Sequence, residues 1–586
     1  MNVIGISAYY HEASCCLLKD GELVAAAEEE RFSRKKHDPR LPVAAFRYCL
    51  EEGGLSVADV NAVGYYESPT KKLSRQIWAG KTPETPAGLT WLESGRPERE
   101  IRELLGFEGP IHTFEHHLSH AASSFFYSGY ESAAILTVDG VGEWATTTYG
   151  RGDGSNLELF EEVRFPHSIG LLYSTITGYL GFRVNGGEYK VMGLAPYGTP
   201  RYVDQIWQMI SSREGGQYEL NLEYFDFLQG AKMYSPAIAD LFGQPPRVRE
   251  SEMTQFHKDV ARSLQVVLEE LLLEKVRYLH SRVGGENLCM AGGVALNCVA
   301  NGRVLRDGPF ERLFVQPAAG DAGACMGAAA LAHRALTGKR PSEKAQQDSC
   351  LGPRFESDGI AHLLEATGLE ALDFRGREAE LLETVVDRLV GGKVVGWFHG
   401  RMEFGPRALG ARSILADPRD AGMRDRLNAL VKKREAFRPF APSILEERAS
   451  EHLDLDHPSP FMLETCQVIS PIDLPAITHV DRSARPQTVN RKASPRYAAL
   501  IEAFERRTGC PILVNTSFNV RSEPIVCTPV DALCCMVSSD IECLVLEDFV
   551  IDRDRLPPHL PAAVADLYAQ QGSPGGRVTE TVYTFV

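Results

Sequence analysis

The chain has 586 residues, of which 44% are hydrophobic, so it can form several domains with cores of their own. Its formal net charge of −16 argues against a general nucleic-acid-binding protein, because such a protein needs a basic surface. No run of about 18 apolar residues and no signal-peptide pattern occurs, so we expect a soluble cytoplasmic protein without a membrane partner. The 13 cysteines are scattered with no CxxC pair, which is typical of buried thiols in a reducing compartment.

The N-terminal residues predict three short strands, at 3–7, 13–18 and 22–27, joined by tight connections. The loop between the first two strands carries His11 among polar and aromatic neighbours. A similar strand, glycine-rich turn and strand recurs around Asp139 and continues to residue 150. Two such units indicate an internally duplicated domain with a nucleotide between its halves, which is the arrangement of the actin/Hsp70/sugar-kinase superfamily.

The segment 115–126 carries two histidines four residues apart, His116 and His120, on a run with helical periodicity. Asp139 ends an apolar strand just before a glycine turn, where its carboxylate can meet the same helix face. Two imidazoles and a carboxylate are a donor set for a transition metal. The alternative interpretation is that these are polar residues on the surface of a helix.

The next segments predict less chemistry. Residues 70–110 are polar, contain several prolines and predict an irregular excursion. The glycine-dense stretch 185–198 either brings backbone amides and Lys190 close to phosphate oxygens or is a plain turn. Residues 253–283 predict a long amphipathic helix that serves packing.

Residues 287–297 predict a strand, a Gly-Gly turn and the start of a helix. Gly292 and Gly293 would let an adenosine lie against the backbone, and the helix start at Asn297 favours anionic groups. Asp321 opens another helix of small residues, where it is either the N-cap or a fourth ligand beside His116, His120 and Asp139.

A polar stretch at 336–356 predicts a linker to a second domain, with a helix at 381–389 and a strand at 394–398. Between residues 393 and 438 there are 11 Lys/Arg against five Asp/Glu. Arg407, Arg412, Lys433 and Arg438 lie among Gly, Pro and Phe, which favours a concave phosphate site over a solvated surface patch. Arg485 and the strand 511–519, which contains Asn515, offer further donors.

Ten motifs in order carry a resemblance to a known family: YYHEAS, EHHLSHAASSFF, TVDGVGEW, GGEYKVMGLAPYG, AGGVALN, GDAGA, GRMEFGPRALGARSILADPR, KKREAFRPFAPS, RPQTV and VNTSFN. Over nearly its whole length the chain resembles the NodU/CmcH-type O-carbamoyltransferases. The resemblance implies an α/β protein with an actin/Hsp70-like (ASKHA, TsaD-like) duplicated domain over 1–345. It further implies a YrdC-like α/β twisted-sheet domain over 346–556 and a C-terminal tail at 557–586.

The resemblance also implies an activity. The second domain would make carbamoyl-adenylate from carbamoyl phosphate and ATP, with Mg²⁺ accompanying ATP, and the first would transfer the carbamoyl group to a hydroxyl of a small natural product. His11 matches the histidine that acts on this hydroxyl, and His116, His120, Asp139 and Asp321 match ligands of Fe(II). The motifs that bind carbamoyl phosphate and ATP contain Lys433 and Arg485, expected to be catalytic, and Arg407, Arg438, Thr516 and Ser517.

Two other functions stay open on the sequence. One is a tRNA-modifying enzyme of the threonylcarbamoyl type, built from the same two folds, although the acidic composition disfavours it. The other is an ATP-binding switch or chaperone-like module with an inactive centre. The sequence indicates neither the acceptor molecule nor the oligomeric state.

Overall fold

The computed structural model describes residues 1–80, 93–228, 232–341, 344–429, 437–558 and 560. The described chain forms two compact units. Unit 1 comprises Met1–Glu29 and His37–Gln346, and unit 2 comprises Glu30–Lys36 and the described chain from Gln347 onward. The sequence did not indicate that Glu30–Lys36, inside the predicted first domain, groups with unit 2. The predicted tail lies outside the described residues except for positions 557, 558 and 560.

Unit 1 is built on two five-stranded sheets and a two-stranded one. Its strands are β1 Asn2–Ser7, β2 Ser14–Lys19, β3 Glu22–Glu28, β4 Ala62–Tyr65, β5 Ile111–Thr113, β6 Ser132–Val138, β7 Ala145–Asp153, β8 Asn156–Arg164, β9 Ile210–Ser212, β10 Tyr218–Leu220, β11 Asn287–Ala291 and β12 Arg312–Val315. The three predicted N-terminal strands and the strand that precedes Asp139 are all present.

The two large sheets repeat one strand order. The first runs β3-β2-β1-β4-β5 and the second β8-β7-β6-β11-β12. In each, three consecutive strands pair antiparallel with their neighbours. The first of these three, β1 or β6, also pairs in parallel with a later strand, β4 or β11, which in turn pairs in parallel with the edge strand, β5 or β12. This repeated order confirms the predicted duplicated domain of the actin/Hsp70-like class.

The helices within residues 1–346 are α1 Glu29–Ser33, α2 Val43–Gly53, α3 Pro69–Trp78, α4 Arg96–Leu105, α5 His116–Phe125, α6 Ile169–Tyr179, α7 Glu188–Leu194, α8 Val203–Met209, α9 Ala237–Phe242, α10 Gln255–Val283, α11 Cys298–Asp307 and α12 Asp321–Thr337. Most of α1 lies in the segment that groups with unit 2. Helix α10 agrees with the predicted amphipathic helix. The prediction of an irregular excursion over 70–110 was wrong where α3 and α4 lie, and residues 81–92 of that range lie outside the described residues. Their prolines, Pro69 and Pro97, occupy the first helical turn, where a missing N–H costs little.

Helix α12 is made almost entirely of small buried residues. At Gly327 an added Cβ would overlap the backbone carbonyl of Ser119, so the absence of a side chain lets α12 lie directly against α5. This close approach brings the first residue of α12, Asp321, to the helix that carries His116 and His120.

Unit 2 is organised around one mixed eight-stranded sheet of order β13-β22-β21-β14-β15-β20-β16-β19, with a separate pair β17-β18. The strands are β13 Leu372–Asp373, β14 Val395–Phe398, β15 Arg412–Ala416, β16 Ala441–Leu445, β17 Cys466–Gln467, β18 Ser483–Ala484, β19 Gln487–Val489, β20 Ile512–Ser517, β21 Cys543–Leu546 and β22 Phe549–Asp552. The helices are α13 Ser357–Thr367, α14 Glu378–Val390, α15 Met423–Leu427, α16 Ala449–His452, α17 Pro495–Thr508 and α18 Pro529–Ser538.

Strands β14 and β21 near the centre of this sheet are apolar on both faces, and one contiguous core surrounds them. Trp397 of β14 is fully buried at its centre. Helix α14 extends the predicted helix at 381–389 by three residues at its N-terminus and one at its C-terminus. Among the described residues, none of the helices combines the length and the apolar character needed to cross a membrane.

Candidate functional site

Four predicted ligand residues converge in unit 1. Nε2 of His116 lies 3.0 Å from Oδ2 of Asp139, and Nε2 of His120 lies 3.3 Å from the same oxygen. Oδ1 of Asp321 lies 3.6 Å from Nε2 of both histidines. One ligand atom from each side chain falls within 4.8 Å of the other three. Two helices and a strand end therefore bring together residues that are far apart in the sequence.

The neighbouring His117 has a different role. Its Nδ1 lies 2.6 Å from Oγ1 of Thr137, which in turn lies 2.5 Å from Oγ1 of Thr148. Burial lowers the pKa of His117 to about 3, so its imidazole stays neutral. Of the two adjacent histidines, His116 therefore belongs to the cluster and His117 does not, because only His116 and His120 face the two aspartates.

The four side chains are strongly coupled electrostatically. Burial alone would lower the pKa of His120, but hydrogen bonds to Asp139 and Asp321 outweigh it and raise that pKa to about 9. Burial likewise opposes ionisation of Asp139, and its hydrogen bonds to the two histidines overcome this and hold its pKa well below the usual range. The cluster therefore stabilises Asp139 and Asp321 as ionised carboxylates next to positively charged imidazole.

The donor set fits a first-row divalent metal. Imidazole nitrogen and carboxylate oxygen are ordinary ligands of such ions. The two Nε2 atoms lie 3.0 Å apart, where either a proton or a cation must separate their lone pairs. Oδ2 of Asp321 is buried and accepts no hydrogen bond from any residue of the described chain. The side chains of His116, His120 and Asp321 are almost inaccessible to water, and that of Asp139 is 14% exposed.

A buried carboxylate that the sequence reasoning missed supports this cluster. Both oxygens of Glu143 accept the backbone N–H of His116, at 3.0 and 3.1 Å, and one accepts the N–H of Ser68 at 2.6 Å. Glu143 thereby satisfies the first free amide of helix α5. Its only signal in the sequence is its place in TVDGVGEW, four residues after Asp139.

The predicted adenosine turn lies directly beside the cluster. Gly292 has φ 95° and lies so close to Val138 that a Cβ would overlap its carbonyl oxygen. The N–H of Gly293 donates to Oδ1 of Asp139 at 2.9 Å. In this structure the Gly-Gly turn thus orients a candidate metal ligand. Asn297 caps helix α11 at the N–H of Ala300 and exchanges amide hydrogen bonds with Gln265, so its side chain serves local packing.

The predicted phosphate loop at 185–198 is largely a helix, α7. The carboxylate of Glu188 accepts the N–H groups of Asn185 and Gly187, both at 3.0 Å, so these two amides are engaged inside the protein. Nζ of Lys190 lies 5.7 Å from the centroid of the Phe182 ring. This placement differs from a glycine loop that cradles phosphate.

His11 lies on the predicted loop between β1 and β2, in a strained stretch of backbone. Tyr9 and Glu12 both have positive φ, at 71° and 62°. Nδ1 of His11 lies 3.8 Å from Oε2 of Glu12, and the Tyr9 hydroxyl donates to Glu100 at 2.7 Å. Burial opposes the ionisation of Asp321, but His116, His120 and, more weakly, His11 outweigh it and lower the pKa of this carboxyl.

The candidate anion-binding residues of unit 2 share one end of its sheet. Strands β14 and β20 point toward this end, and β15, β16 and β19 start from it, because neighbouring strands alternate in direction up to the parallel pair β16–β19. At this end lie the β14–β15 loop with Arg407, the last residues of β20 with Thr516 and Ser517, and the segments that lead into β16 and β19 with Arg438 and Arg485. We call this the arginine end of the sheet. Lys433 lies outside the described residues.

Two predicted ligand-binding residues at this end are instead engaged within the protein. Arg412 is fully buried, its guanidinium donates to the carbonyls of Pro353, His399, Gly400 and Ala411, and it stacks on the Phe398 ring. Asn515 donates to Ala408, Ser443 and Gln487. The terminal guanidinium nitrogens of Arg412 and the amide nitrogen of Asn515 thus already meet protein acceptors, while Nε of Arg412 has no partner among the described residues. The assignment of both residues to ligand binding stays a prediction.

Comparison with known proteins gives the class. Residues 2–83 and 101–330 match the model of the carbamoyltransferase N-terminus, and residues 386–553 match that of the carbamoyltransferase C-terminus. The chain therefore belongs to the carbamoyltransferase family, and its reaction is of the carbamoyl-transfer class.

Relatives extend over most of the chain. It is 45% identical to an uncharacterized protein of Synechocystis sp., covering 95% of this chain and 97% of the relative. It is 38% identical to the nodulation protein NolNO of Sinorhizobium fredii, covering 94% and 80%. Among solved structures, HypF of T. kodakarensis matches 57% of this chain and 48% of its own at 15% identity and a TM-score of 0.32.

Proposed function

We propose that this protein is an ATP-dependent O-carbamoyltransferase that makes carbamoyl-adenylate and transfers its carbamoyl group to a hydroxyl of a small natural product. The observation that carries the proposal is the cluster of His116, His120, Asp139 and Asp321, within the region that matches the carbamoyltransferase N-terminus. The arginine end of the sheet in unit 2 supports a separate site for phosphate chemistry in the same chain.

The adenylation step is assigned to unit 2. Carbamoyl phosphate reacts with water to give carbamate and phosphate, and a carbamate oxygen then attacks the α-phosphorus of ATP and releases pyrophosphate. Guanidinium groups of Arg407, Arg438 and Arg485 are suited to paired phosphate oxygens, and they offset charge as the leaving group departs. Thr516 and Ser517 add hydroxyl donors, and Mg²⁺ accompanies ATP. Lys433 is assigned to this site by its motif alone.

The transfer step is assigned to unit 1. An imidazole nitrogen of His11 accepts the proton of the acceptor hydroxyl. The hydroxyl oxygen bonds to the carbamoyl carbon, and the bond from that carbon to AMP breaks, so that AMP leaves. The four clustered side chains hold a divalent metal, for which the family resemblance suggests Fe(II), and such an ion supplies Lewis acidity toward carbonyl or phosphate oxygens. Burial of the cluster excludes water, which protects a labile acyl-adenylate.

The full-length protein tests this proposal directly. Incubation with carbamoyl phosphate and ATP should release pyrophosphate only when both substrates are present. Addition of a panel of hydroxylated natural products should then give AMP and a product heavier by one carbamoyl group, detected by mass spectrometry. Absence of pyrophosphate release, with acceptors and divalent metals supplied, would rule the proposal out.

A further inference from the structure

The backbone at 408–412, directly after Arg407, is hydrogen-bonded by the buried side chains of five residues from elsewhere in unit 2 or from its own end. We call this backbone the 408–412 segment. A single oxygen, Oε1 of Glu403, accepts the N–H groups of Leu409, Ala411 and Arg412 at 2.6, 2.8 and 3.2 Å. The side chain of Glu403 is only 3% exposed. Three amides therefore converge on one buried carboxylate.

Four further polar groups of the segment bind side chains from four strands. Nε1 of Trp397 donates to the carbonyl of Gly410 at 2.9 Å, and Oγ of Ser413 accepts the Gly410 N–H at 3.1 Å. Nε2 of Gln487 donates to the carbonyl of Leu409 at 2.7 Å, and Nδ2 of Asn515 donates to that of Ala408 at 3.2 Å. These side chains come from β14, β15, β19 and β20, so the segment is fixed to the sheet itself.

Gly410 adds a steric constraint to these hydrogen bonds. Its φ of 103° lies in the region that favours glycine, and a Cβ there would overlap the Tyr497 ring. The segment therefore lies directly on an aromatic face, and its path is defined from both the polar and the apolar side.

The need to hydrogen-bond the buried amides of this loop does not by itself explain a carboxylate at Glu403. Its second oxygen, Oε2, is buried and has no hydrogen-bond partner in the described part of the chain. A buried carboxylate with one unbonded oxygen is costly, and an apolar residue would fill the same space without that cost. This cost has a reason if the path of the 408–412 segment sets the position of the adjacent residue, Arg407.

We propose that Glu403, with Trp397, Gln487 and Asn515, is a positioning residue that fixes the backbone beside Arg407 before the phosphate substrates bind. This inference rests on the proposed function, in which Arg407 contacts a phosphate. A preorganised guanidinium acts without reorganisation at the moment of reaction, and a misplacement of about 1 Å costs on the order of 10²-fold in rate. Glu403 itself touches no substrate in this proposal.

The test compares Glu403→Ala with Glu403→Gln and a control, Glu542→Ala, in the full-length protein. Glu542 accepts the backbone N–H of Val394 at 3.0 Å, at the opposite end of the same sheet. Pyrophosphate release with carbamoyl phosphate and ATP gives kcat and KM for each substrate, and thermal melts give stability. We expect Glu403→Ala to lower kcat/KM roughly 10²-fold. The conservative Glu403→Gln, which keeps an accepting oxygen, should recover most of this loss, and Glu542→Ala should lose stability alone.

The outcomes are distinguishable. If the wild-type chain releases no pyrophosphate, the proposed function itself fails. If the wild type is active but Glu403→Ala and Glu542→Ala behave alike once their stabilities are matched, the positioning role is wrong. Should Glu403→Ala fail to fold, Trp397→Phe removes the bond to the Gly410 carbonyl together with part of the buried indole ring, so its kinetics are compared with wild type at matched stability. This variant should lower kcat/KM in the same direction by a smaller factor, and unchanged kinetics would overturn the inference.

Discussion

Nε2 of His120 lies 3.0 Å from Nε2 of His116, and both nitrogens face the carboxylates of Asp139 and Asp321. Two ring nitrogens at this distance repel unless a proton or a cation lies between them. Because the carboxylates compensate positive charge there, the pair is suited to a shared cation. This relationship links the geometry of unit 1 to a measurable property, its metal content.

The first prediction concerns that metal. The purified protein should bind about one first-row divalent ion per chain, and His120→Ala should reduce bound metal at least tenfold, because it removes one of four ligands. Elemental analysis after dialysis gives the stoichiometry. His117→Ala is the matched control, since His117 faces Thr137 and should not alter metal content. Equal loss in both variants would contradict the assignment.

The second prediction concerns Glu143, which bonds the first amide of α5. Glu143→Ala should weaken metal binding roughly 10- to 100-fold, because the residue orients His116 without binding the ion. Titration of the metal-free protein with Fe(II) or Zn²⁺ under anaerobic conditions gives the affinity. An unchanged affinity together with a lower melting temperature would restrict Glu143 to a stabilising role.

The third prediction concerns the close contact of α12 with α5. Gly327→Ala should destabilise the protein by about 1–3 kcal/mol, since its Cβ meets the Ser119 carbonyl. It should also lower metal affinity, because Asp321 begins the displaced helix. Gly359→Ala, in α13 with open space around it, should leave both properties nearly unchanged. Calorimetry and metal titration measure the two effects, and normal metal binding by a destabilised Gly327→Ala would break the link.

The fourth prediction separates the two reaction steps. Lys433→Ala should abolish pyrophosphate release from carbamoyl phosphate and ATP, while transfer from supplied carbamoyl-adenylate to an acceptor continues. The reason is that the proposed function assigns Lys433, and not Lys432, to the phosphate site. Lys432→Ala serves as the neighbouring control. Equal loss of both steps in Lys433→Ala would refute the division of labour.

The fifth prediction is a pH dependence in unit 2. A hydrogen bond to Glu464 raises the pKa of His457 to about 9 in the folded protein, against an ordinary value of 6.5. The pair therefore contributes fully to stability below about pH 6.5 and loses its contribution as pH rises through about 9. The His457 side chain is 39% exposed, so screening by solvent should limit the contribution to about 1 kcal/mol or less. The melting-temperature difference between wild type and Glu464→Gln should shrink from pH 6 to pH 9.5, and a constant difference would contradict it.

Local patterns in the sequence were sufficient for the elements that depend on local periodicity. The N-terminal hairpin strands, helix α10 and the shared face of His116 and His120 all follow from spacing along a few turns or strands. The repeated strand–turn–strand unit also indicated the duplicated sheet. These features need no information about distant contacts.

Contacts across long sequence separations were beyond such patterns. Glu403 looks like an ordinary charged residue in a basic loop, and only the path of the 408–412 segment shows why it is buried. Arg412 resembled a phosphate ligand because it lies in a basic stretch among Gly, Pro and Phe, yet its guanidinium donates to four backbone carbonyls. Helices α3 and α4 were missed because proline was given more weight than its position in the first turn.

The grouping of Glu30–Lys36 with unit 2 has a practical consequence for dissecting the enzyme. Arg34 donates to the carbonyls of Pro524 and Ile525 at 3.0 and 2.7 Å and pairs with Asp531 at 3.4 Å. A fragment that starts after residue 346 would lack Arg34, so these two carbonyls and Asp531 would lose this hydrogen-bonding and ion-pair partner. Separate expression of the C-terminal half therefore requires this heptapeptide to be supplied in trans or grafted by permutation.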